Sequence, residues 1–225
     1  THSIEPGNVN QGAYVLWSAQ NGFPPGTIFV SVVDPGVGTN RAILAVHADD
    51  YLFLAPDNGL LKYILGMMKV REIRRVNNRE LMNEKICATF HGRDVFAPVA
   101  SNFAEGIQMR TAGPLFTPET KSEKFIGVRS FEKKQMDGVV IHVDVYGNLV
   151  TNFFMEDYFD RGEEIMLSLK KIKIGQFYRT YGYAPPGKPF GYVGSTGLLE
   201  IAVKNKSATK ELKAGVGTIV SLSIK

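Results

Sequence analysis

The stretch V-V-D-P-G-V-G-T-N-R, residues 32–41, is where a run of strand-forming residues ends in a turn. The overlapping F-V-S-V-V at 29–33 predicts a buried strand, and Asp34 is the first polar side chain at its end. The turn contains residues that favour a tight loop: Pro35, Gly36 and Gly38. Arg41 follows on the far side. A carboxylate and a guanidinium on one loop at a strand end are typical of sites in α/β proteins.

Working outward from this loop, the first half of the chain alternates between helix and strand patterns. Apolar residues at helical spacing predict helices at 8–20, 60–67 and 94–105. Short runs of apolar and β-branched residues predict strands at 28–33, 42–46, 51–55 and 73–76. The alternation predicts an α/β domain over residues 1–117, with a central sheet flanked by helices.

The second half has a different pattern. From Gly113 the chain changes character, with Pro114, Pro118, frequent Lys and Glu and no sustained period, and we predict that residues 118–136 form a linker between two domains. Beyond it, strand patterns separated by Gly and Pro fall at 139–144, 149–153, 164–169, 172–174, 190–193, 198–203 and 218–224. They predict an all-β C-terminal domain over residues 137–225, with the spacing of a small antiparallel barrel and no helix of convincing length.

Composition sets further bounds. The 225 residues are 44% hydrophobic and 21% charged with a net charge of +4, and no long basic run occurs, so nucleic acid is not an expected partner. The single cysteine, Cys87, allows no internal disulfide or thiolate cluster, which fits the reducing cytoplasm. No stretch reaches the ~20 apolar residues of a membrane span, so no membrane association is expected.

A second charged motif, T-F-H-G-R-D at 89–94, surrounds a glycine with His91, Arg93 and Asp94 just before a predicted helix. Helix-terminal amides and nearby charges shift histidine titration at such positions. Each residue alone has an ordinary explanation: Asp34 satisfies its own turn, Arg41 is a surface residue and His91 is structural. Their joint occurrence favours a functional site.

Two further motifs lie in the second half, V-D-V-Y-G-N-L-V-T-N at 143–152 and G-Y-V-G-S-T-G-L-L-E-I-A at 191–202. By itself the first is explained by a hairpin turn at Gly147 and Asn148 that Asp144 caps. The second is equally explained by an ordinary polar turn around Ser195. Neither motif alone indicates a function.

Taken together, five ordered motifs resemble the S-adenosyl-L-methionine hydroxide adenosyltransferase family, hydrolases related to the fluorinases and chlorinases. The motifs are D-P-G-V-G-T-x-R, A-P-D-N-G, T-F-H-G-R-D-V-F-A-P-V-A, Y-G-N-L-V-T-N and S-T-G-L-L-E-I-A. The resemblance implies an α/β domain, a C-terminal β-barrel and a homotrimer whose active sites lie between the N-terminal domain of one subunit and the C-terminal domain of its neighbour. It also implies that water attacks C5′ of S-adenosyl-L-methionine, releasing adenosine and L-methionine.

The resemblance assigns roles to residues as well. Its catalytic Asp, Arg and His fall on Asp34, Arg41 and His91. Its substrate contacts fall on Asp144 for the methionine ammonium, Ser195 for the carboxylate, Asn148 for the adenine edge, Tyr192 near the amino-acid end, and Tyr181 or Tyr183 for stacking on adenine. No metal and no cofactor besides the substrate is expected.

Two alternatives to the hydrolase remain at this point. One is a halogenase acting at the same carbon, although the halogenating relatives lack the Asp-Arg-His set. The other is a protein that binds adenosine or S-adenosyl-L-methionine without turnover. Family members begin with a strand and a T-D-F-G-like turn whose Asp holds the ribose hydroxyls, whereas this sequence starts after that point with T-H-S-I-E-P. We therefore expect that preceding residues are missing from it.

Overall fold

The computed structural model describes residues 1, 3–127, 135–155 and 164–224. The chain divides into two compact units, Thr1–Lys124 and Phe125–Lys225. This confirms the two-domain architecture, while the linker at 118–136 and the exact domain limits stay predictions. Within the described residues, no helix is both long enough and apolar enough to cross a membrane.

The N-terminal unit is a mixed sheet accompanied by helices. Its elements are α1 (Val9–Gln20), β1 (Ile28–Val30), β2 (Ile43–Ala48), β3 (Tyr51–Pro56), α2 (Lys62–Met67), β4 (Val70–Arg75) and α3 (Ala97–Ala104). Short 3₁₀ turns lie at Arg79–Leu81 and Met109–Ala112, and a π-helical turn at Gly92–Phe96 leads into α3. The strand order is β1-β3-β2-β4, with β1 parallel to β3 and the other pairs antiparallel.

The burial pattern explains which strand is central. Leu44, Ala45 and Val46 are consecutive in β2 and at most 1% exposed, so both faces of this strand are covered. On one face, Val99 and Phe103 of α3 belong to the same core cluster as Ala45. The α/β prediction for this half is confirmed.

Two strand boundaries of this unit differ by three residues from the sequence prediction. The first strand ends at Val30, opposite Leu54, and the last ladder-like bond is from Ser31 N to Leu54 O. Further along, Val33 O accepts a hydrogen bond from the Asn58 side chain at 2.9 Å. This side chain takes the place of a neighbouring strand, so the ladder ends before Asp34. The fourth strand begins at Val70, three residues earlier than predicted, because four of its six residues, V-R-E-I-R-R, are charged and interrupt the apolar run from which a strand is predicted.

The C-terminal unit is built almost entirely of strands. They are β5 (Ile126–Gly127), β6 (Gln135–Val143), β7 (Leu149–Phe154), β8 (Ile165–Leu169), β9 (Ile172–Ile174), β10 (Pro189–Val193), β11 (Leu198–Val203) and β12 (Ile219–Ile224). The only helical elements described there are short, a 3₁₀ turn at Tyr181–Tyr183 and the one-turn helix α4 (Ala208–Leu212). The structure places β5 and the start of β6 in the segment predicted as a linker, whose residues 128–134 lie outside the described part.

These strands form one sheet in the order β10-β11-β7-β6-β12-β8-β9, with β5 beside β7. The two ends of the sheet meet where Gly191 of β10 exchanges backbone hydrogen bonds with the segment after β9, at Gln176 O and Tyr178 N. The result is a nearly closed barrel, as predicted. Its core cluster includes Phe153, Leu167, Leu199, Ile201, Val220 and Leu222.

The alternation of side chains along β10 and β11 gives this wall two different faces. Leu199 and Ile201 belong to the barrel core. Residues on the opposite face form a separate, mostly aromatic cluster, Tyr178, Tyr181, Ala184, Phe190, Tyr192 and Ala202. The barrel core is therefore filled with side chains, and the wall of β10 and β11 carries its aromatic groups on the outer face.

Candidate active site

The loop after β1 is closed by an ion pair between its two ends. Arg41 Nε donates to Asp34 Oδ1 at 3.0 Å and to Oδ2 at 2.9 Å, and Arg41 Nη2 also donates to Oδ2. The Asp34 and Arg41 side chains are 3% and 9% exposed. Water screens such a pair little, and breaking it by removing one partner leaves a buried charge. Asp34 and Arg41, which are seven positions apart and were both predicted as site residues, are thus in direct contact.

Glycine is required inside this loop by its neighbours. Gly38 has a φ of +80°, and a Cβ there would lie 2.5 Å from Ala88 O. The segment before His91 therefore packs directly on the backbone of the loop that carries Asp34 and Arg41. Thr39 adds a hydrogen bond from its hydroxyl to Gly36 O at 2.7 Å.

His91 joins the pair from the start of the π-helical turn. Its Nδ1 lies 3.0 Å from Arg41 Nη2. A guanidinium only donates hydrogen bonds, so Nδ1 must be the acceptor and the imidazole is neutral, with its proton on Nε2. Burial and the Arg41 charge lower the pKa of His91, against the opposing effect of Asp34 and Asp94. The geometry and the pKa direction both favour neutral His91.

Asp94 anchors the segment that positions His91. Its carboxylate, 3% exposed, accepts from Cys87 N at 2.8 Å, Asn83 Nδ2 at 3.2 Å and Arg93 Nε at 2.7 Å. Hydrogen bonds from Arg93 and Cys87 N hold the pKa of Asp94 well below its usual range. Arg93 itself is 58% exposed and lies over the ring of Phe90. In the motif at 89–94, His91 therefore contacts Arg41, whereas Arg93 and Asp94 form an ion pair that stabilises the loop.

A cavity of about 400 Å³ in the N-terminal unit is lined by Asp34. Its other lining residues come from the start of the chain and from the end of the strand segment: Thr1, Ile4, Glu5, Pro6, Gly7, Val32, Val33 and Pro35. Glu5 is the second carboxylate there, and its Oε2 accepts from Asn8 Nδ2 at 3.1 Å.

A larger pocket, about 700 Å³, lies in the C-terminal unit. Its volume suits a small molecule. Four of its lining residues were predicted, Asp144, Asn148, Tyr181 and Tyr192, and four were not, Tyr146, Asn205, Lys206 and Ser207. Positions 205–207 carry no distinct functional signal in the sequence. Ser207 caps α4 by accepting a hydrogen bond from Lys210 N, which is typical of an ordinary helix start.

Asp144 organises the turn that brings Asn148 to this pocket. Asp144 Oδ1 accepts from Tyr146 N and Asn148 N at 2.9 and 2.8 Å, and Oδ2 accepts from Asn148 Nδ2 at 2.8 Å. The capping role considered for Asp144 from sequence is therefore present. The amide nitrogen of Asn148 donates to Asp144, which fixes the orientation of the side chain, and its carbonyl oxygen is the atom that can accept a hydrogen bond from a ligand.

The aromatic residues predicted for the substrate take different positions. Tyr181 OH accepts a hydrogen bond from Asn205 N at 2.8 Å, and Tyr192 OH donates to Glu200. Both rings flank Phe190, with centroids 5.8 and 5.9 Å from it. By contrast, Tyr183 is 76% exposed, and neither Tyr183 nor Ser195 is among the pocket-lining residues.

Among the residues that the structure describes, no group of three or more His, Cys, Asp or Glu side chains is placed to hold a metal ion. Asp34, Arg41 and His91 offer an ion pair and a neutral imidazole, and the pocket of the C-terminal unit offers hydrogen-bonding groups and aromatic faces.

Comparison with known proteins matches both halves of the chain to one family. Residues 1–113 match the family model described as the SAM hydroxide adenosyltransferase N-terminal domain, and residues 138–221 match the model of its C-terminal domain. SAM here is S-adenosyl-L-methionine.

Individual relatives agree with these matches. The chain is 34% identical over 211 residues to (R)-S-adenosyl-L-methionine hydrolase of Salinispora tropica, a match covering 92% of this chain and 78% of that protein. It is 24% identical to a fluorinase of Actinopolyspora mzabensis, covering 99% and 86%. A crystal structure of an uncharacterized conserved protein from Thermotoga maritima superposes with a TM-score of 0.85 at 31% identity, covering 99% of this chain and 87% of that one.

Proposed function

The chain belongs to the SAM hydroxide adenosyltransferase family, and from that premise we propose that it hydrolyses S-adenosyl-L-methionine at C5′ to adenosine and L-methionine. It is an enzyme of this family. The observation that carries the proposed mechanism is the clamp of one guanidinium, Arg41, between the carboxylate of Asp34 and the neutral imidazole of His91. The similarity to proteins named for the same hydrolysis supports the choice of substrate.

The reaction needs an activated nucleophile more than an acid. Water oxygen forms a bond to C5′ while the bond from C5′ to the sulfonium sulfur breaks, and its electron pair stays on sulfur. Methionine leaves as a neutral thioether, so no proton must be supplied to the leaving group. The attacking water must instead lose a proton, which makes its orientation and deprotonation the task of the protein.

The clamp supplies groups suited to this task. Arg41 Nε and Nη2 are used by Asp34 and His91, and the described hydrogen bonds leave Nη1 with its two N–H donors. Nη1 donates to the water and favours its anionic form, while Asp34 orients the water and accepts the proton that it loses. His91, neutral and accepting from Nη2, fixes the guanidinium. Well-oriented reactants gain ~7 kcal/mol or more over free encounter, so rigid placement of the water is a large contribution.

The pocket of the C-terminal unit binds both the adenine and the amino-acid end of the substrate in this proposal. The carbonyl oxygen of Asn148 accepts from the adenine amino group, and the Tyr181 ring stacks on the base. Asp144 attracts the methionine ammonium, with Tyr192 nearby and Ser195 meeting the carboxylate. The support is that Asn148, Tyr181, Asp144 and Tyr192 line one pocket of suitable volume.

The protein also works as a homotrimer in this proposal, with each active site using the N-terminal domain of one subunit and the C-terminal domain of another. Co-expression of the Asp34→Ala and Asn148→Ala variants tests it. Mixed trimers place an intact N-terminal cluster beside an intact pocket, so adenosine formation should partly recover compared with either variant alone. No recovery in assemblies verified to be mixed would exclude shared sites.

The function itself is tested by chromatography of the protein incubated with S-adenosyl-L-methionine, with and without chloride. Adenosine and methionine should form at the same rate with and without chloride. Asp34→Ala should abolish their release while substrate binding persists. The fluorinase relative makes a halide-dependent reaction the second candidate. A 5′-halo product would select that candidate, and binding without any product would select a non-catalytic protein.

A further inference from the structure

Glu200 is an acidic residue on an otherwise aromatic and apolar face. It lies on β11 directly opposite Tyr192 of β10, while Phe190 and Ala202 form the next pair on the same face. Opposed residues of antiparallel strands project from the same side of the sheet. Burying a carboxylate among such neighbours is unfavourable unless it makes specific hydrogen bonds, so its contacts indicate why it is there.

Those contacts join two parts of the wall. Tyr192 OH donates to Glu200 Oε2. On the other side, a Cβ at Gly194 would lie 2.0 Å from Glu200 Oε1. Gly194 has no positive φ, so the space occupied by the carboxylate explains the glycine there. Gly194 is also the first residue after β10 and starts the turn that carries Ser195.

We propose that Glu200 is a positioning residue for the amino-acid end of the substrate, holding the Tyr192 ring against the pocket and the turn at 194–197 in place. It acts through Tyr192 and Gly194 and does not line the pocket itself. This inference rests on the proposed function, because it assumes that the pocket receives S-adenosyl-L-methionine. Burial raises the pKa of the Glu200 carboxyl, against the opposing effect of the Tyr192 hydrogen bond, and this direction agrees with its enclosed position.

The test compares Glu200→Leu with Glu200→Gln, whose amide oxygen still accepts from Tyr192 OH. Glu200→Leu should raise KM roughly tenfold, the size expected for losing a hydrogen bond to a charged group, and leave kcat within about twofold. Glu200→Gln should restore most of the affinity. Tyr192→Phe should resemble Glu200→Leu, and the two changes together should be no worse than either, as expected for one shared interaction.

Gly194→Ala gives an independent variant, since its methyl group would displace the carboxylate, and it should also raise KM. Glu105→Leu, at an exposed glutamate at the end of α3, is the matched control and should leave both constants unchanged. Thermal unfolding of each variant identifies any that fails to fold, in which case Glu200→Gln, Tyr192→Phe and Gly194→Ala decide the question.

Unchanged KM in the folded variants, a loss confined to kcat, or equal damage from Glu200→Gln and Glu200→Leu would overturn the positioning role. Failure of the proposed function is distinguishable, because the unaltered protein would then release no adenosine. Calorimetric titration with S-adenosyl-L-methionine reports the effect on binding even without turnover.

Discussion

Arg41 Nη2 lies 3.0 Å from His91 Nδ1, a residue fifty positions away, while the same guanidinium holds both carboxylate oxygens of Asp34. The contact fixes the orientation of Arg41 from two sides. Because the arginine can only donate, it also fixes the protonation state in which the histidine takes part.

Arg41→Lys should lower the rate of adenosine formation roughly a hundredfold or more, the usual contribution of a positioned proton-transfer group. Lysine keeps the charge but cannot contact both Asp34 oxygens and His91 at once. The matched control is Arg71→Lys, in a surface pair with Asp50 whose side chains are 50% and 65% exposed, and it should leave the rate unchanged. Equal rates for the two variants would remove Arg41 from the mechanism.

The pH profile should report neutral His91. Since burial and Arg41 lower its pKa, kcat/KM should stay constant as pH falls through the ordinary histidine value of about 6.5 and decline only below it. His91→Asn, which retains an acceptor near the position of Nδ1, should keep part of the activity without that acid limb. A decline centred at or above the ordinary value would contradict this assignment.

The same shift affects stability. With a folded pKa below the unfolded one, the unfolded chain binds more protons between the two values, so stability rises with pH there. The contribution of His91 is complete above about pH 6.5 and is lost as pH falls through its lowered folded value. Urea unfolding between those values should show a smaller pH dependence in His91→Asn than in the unaltered protein.

Gly38→Ala should destabilise the N-terminal unit and reduce activity. Gly26→Ala is the control, because Gly26 has nearly the same φ, +84° against +80°, but no atom within 4 Å of an added Cβ. Both variants carry the backbone cost of about 1 kcal/mol, and only Gly38→Ala adds about 1–3 kcal/mol for the collision with Ala88 O. Equal free energies of unfolding would show that the two loops are not tightly packed.

Tyr181 and Tyr183 provide a comparison for adenine stacking. Tyr181 lines the pocket, whereas Tyr183 is 76% exposed. Tyr181→Ala should weaken adenosine binding, measured by calorimetry, about tenfold or more, as stacking on a base is typically worth ~1–3 kcal/mol. Tyr181→Phe should retain most of the affinity and Tyr183→Ala nearly all of it. The reverse order would assign the stacking role to Tyr183.

The sequence predicted much of this fold because its local signals agree with the tertiary structure. Alternating helix and strand patterns separated the α/β half from the all-β half, and the strands at 172–174 and 198–203 were predicted at their observed bounds. Boundaries failed where a tertiary contact decides them. The first strand ends early because the Asn58 side chain takes Val33 O, a contact that no local pattern reveals.

The site residues show the same difference between local sequence signals and long-range contacts. Asp34 and Arg41 are close in sequence, so a tight loop between them was sufficient to predict their proximity. The position of His91 depends on Asp94, which accepts a hydrogen bond from Cys87 N, and on the contact of Ala88 with Gly38. The contribution of positions 205–207 to the pocket depends on Gly147, where a Cβ would lie 2.2 Å from Ser207 Oγ. Such long-range packing has no periodic signature in the sequence.

The most direct test of the central claim is mass spectrometry of the products formed from S-adenosyl-L-methionine in water labelled with heavy oxygen, with chloride present. Attack of clamped water at C5′ predicts the label in the 5′-hydroxyl of adenosine, unlabelled methionine and no 5′-chloro nucleoside. Label in methionine, adenosine without label, or a 5′-chloro product would contradict it.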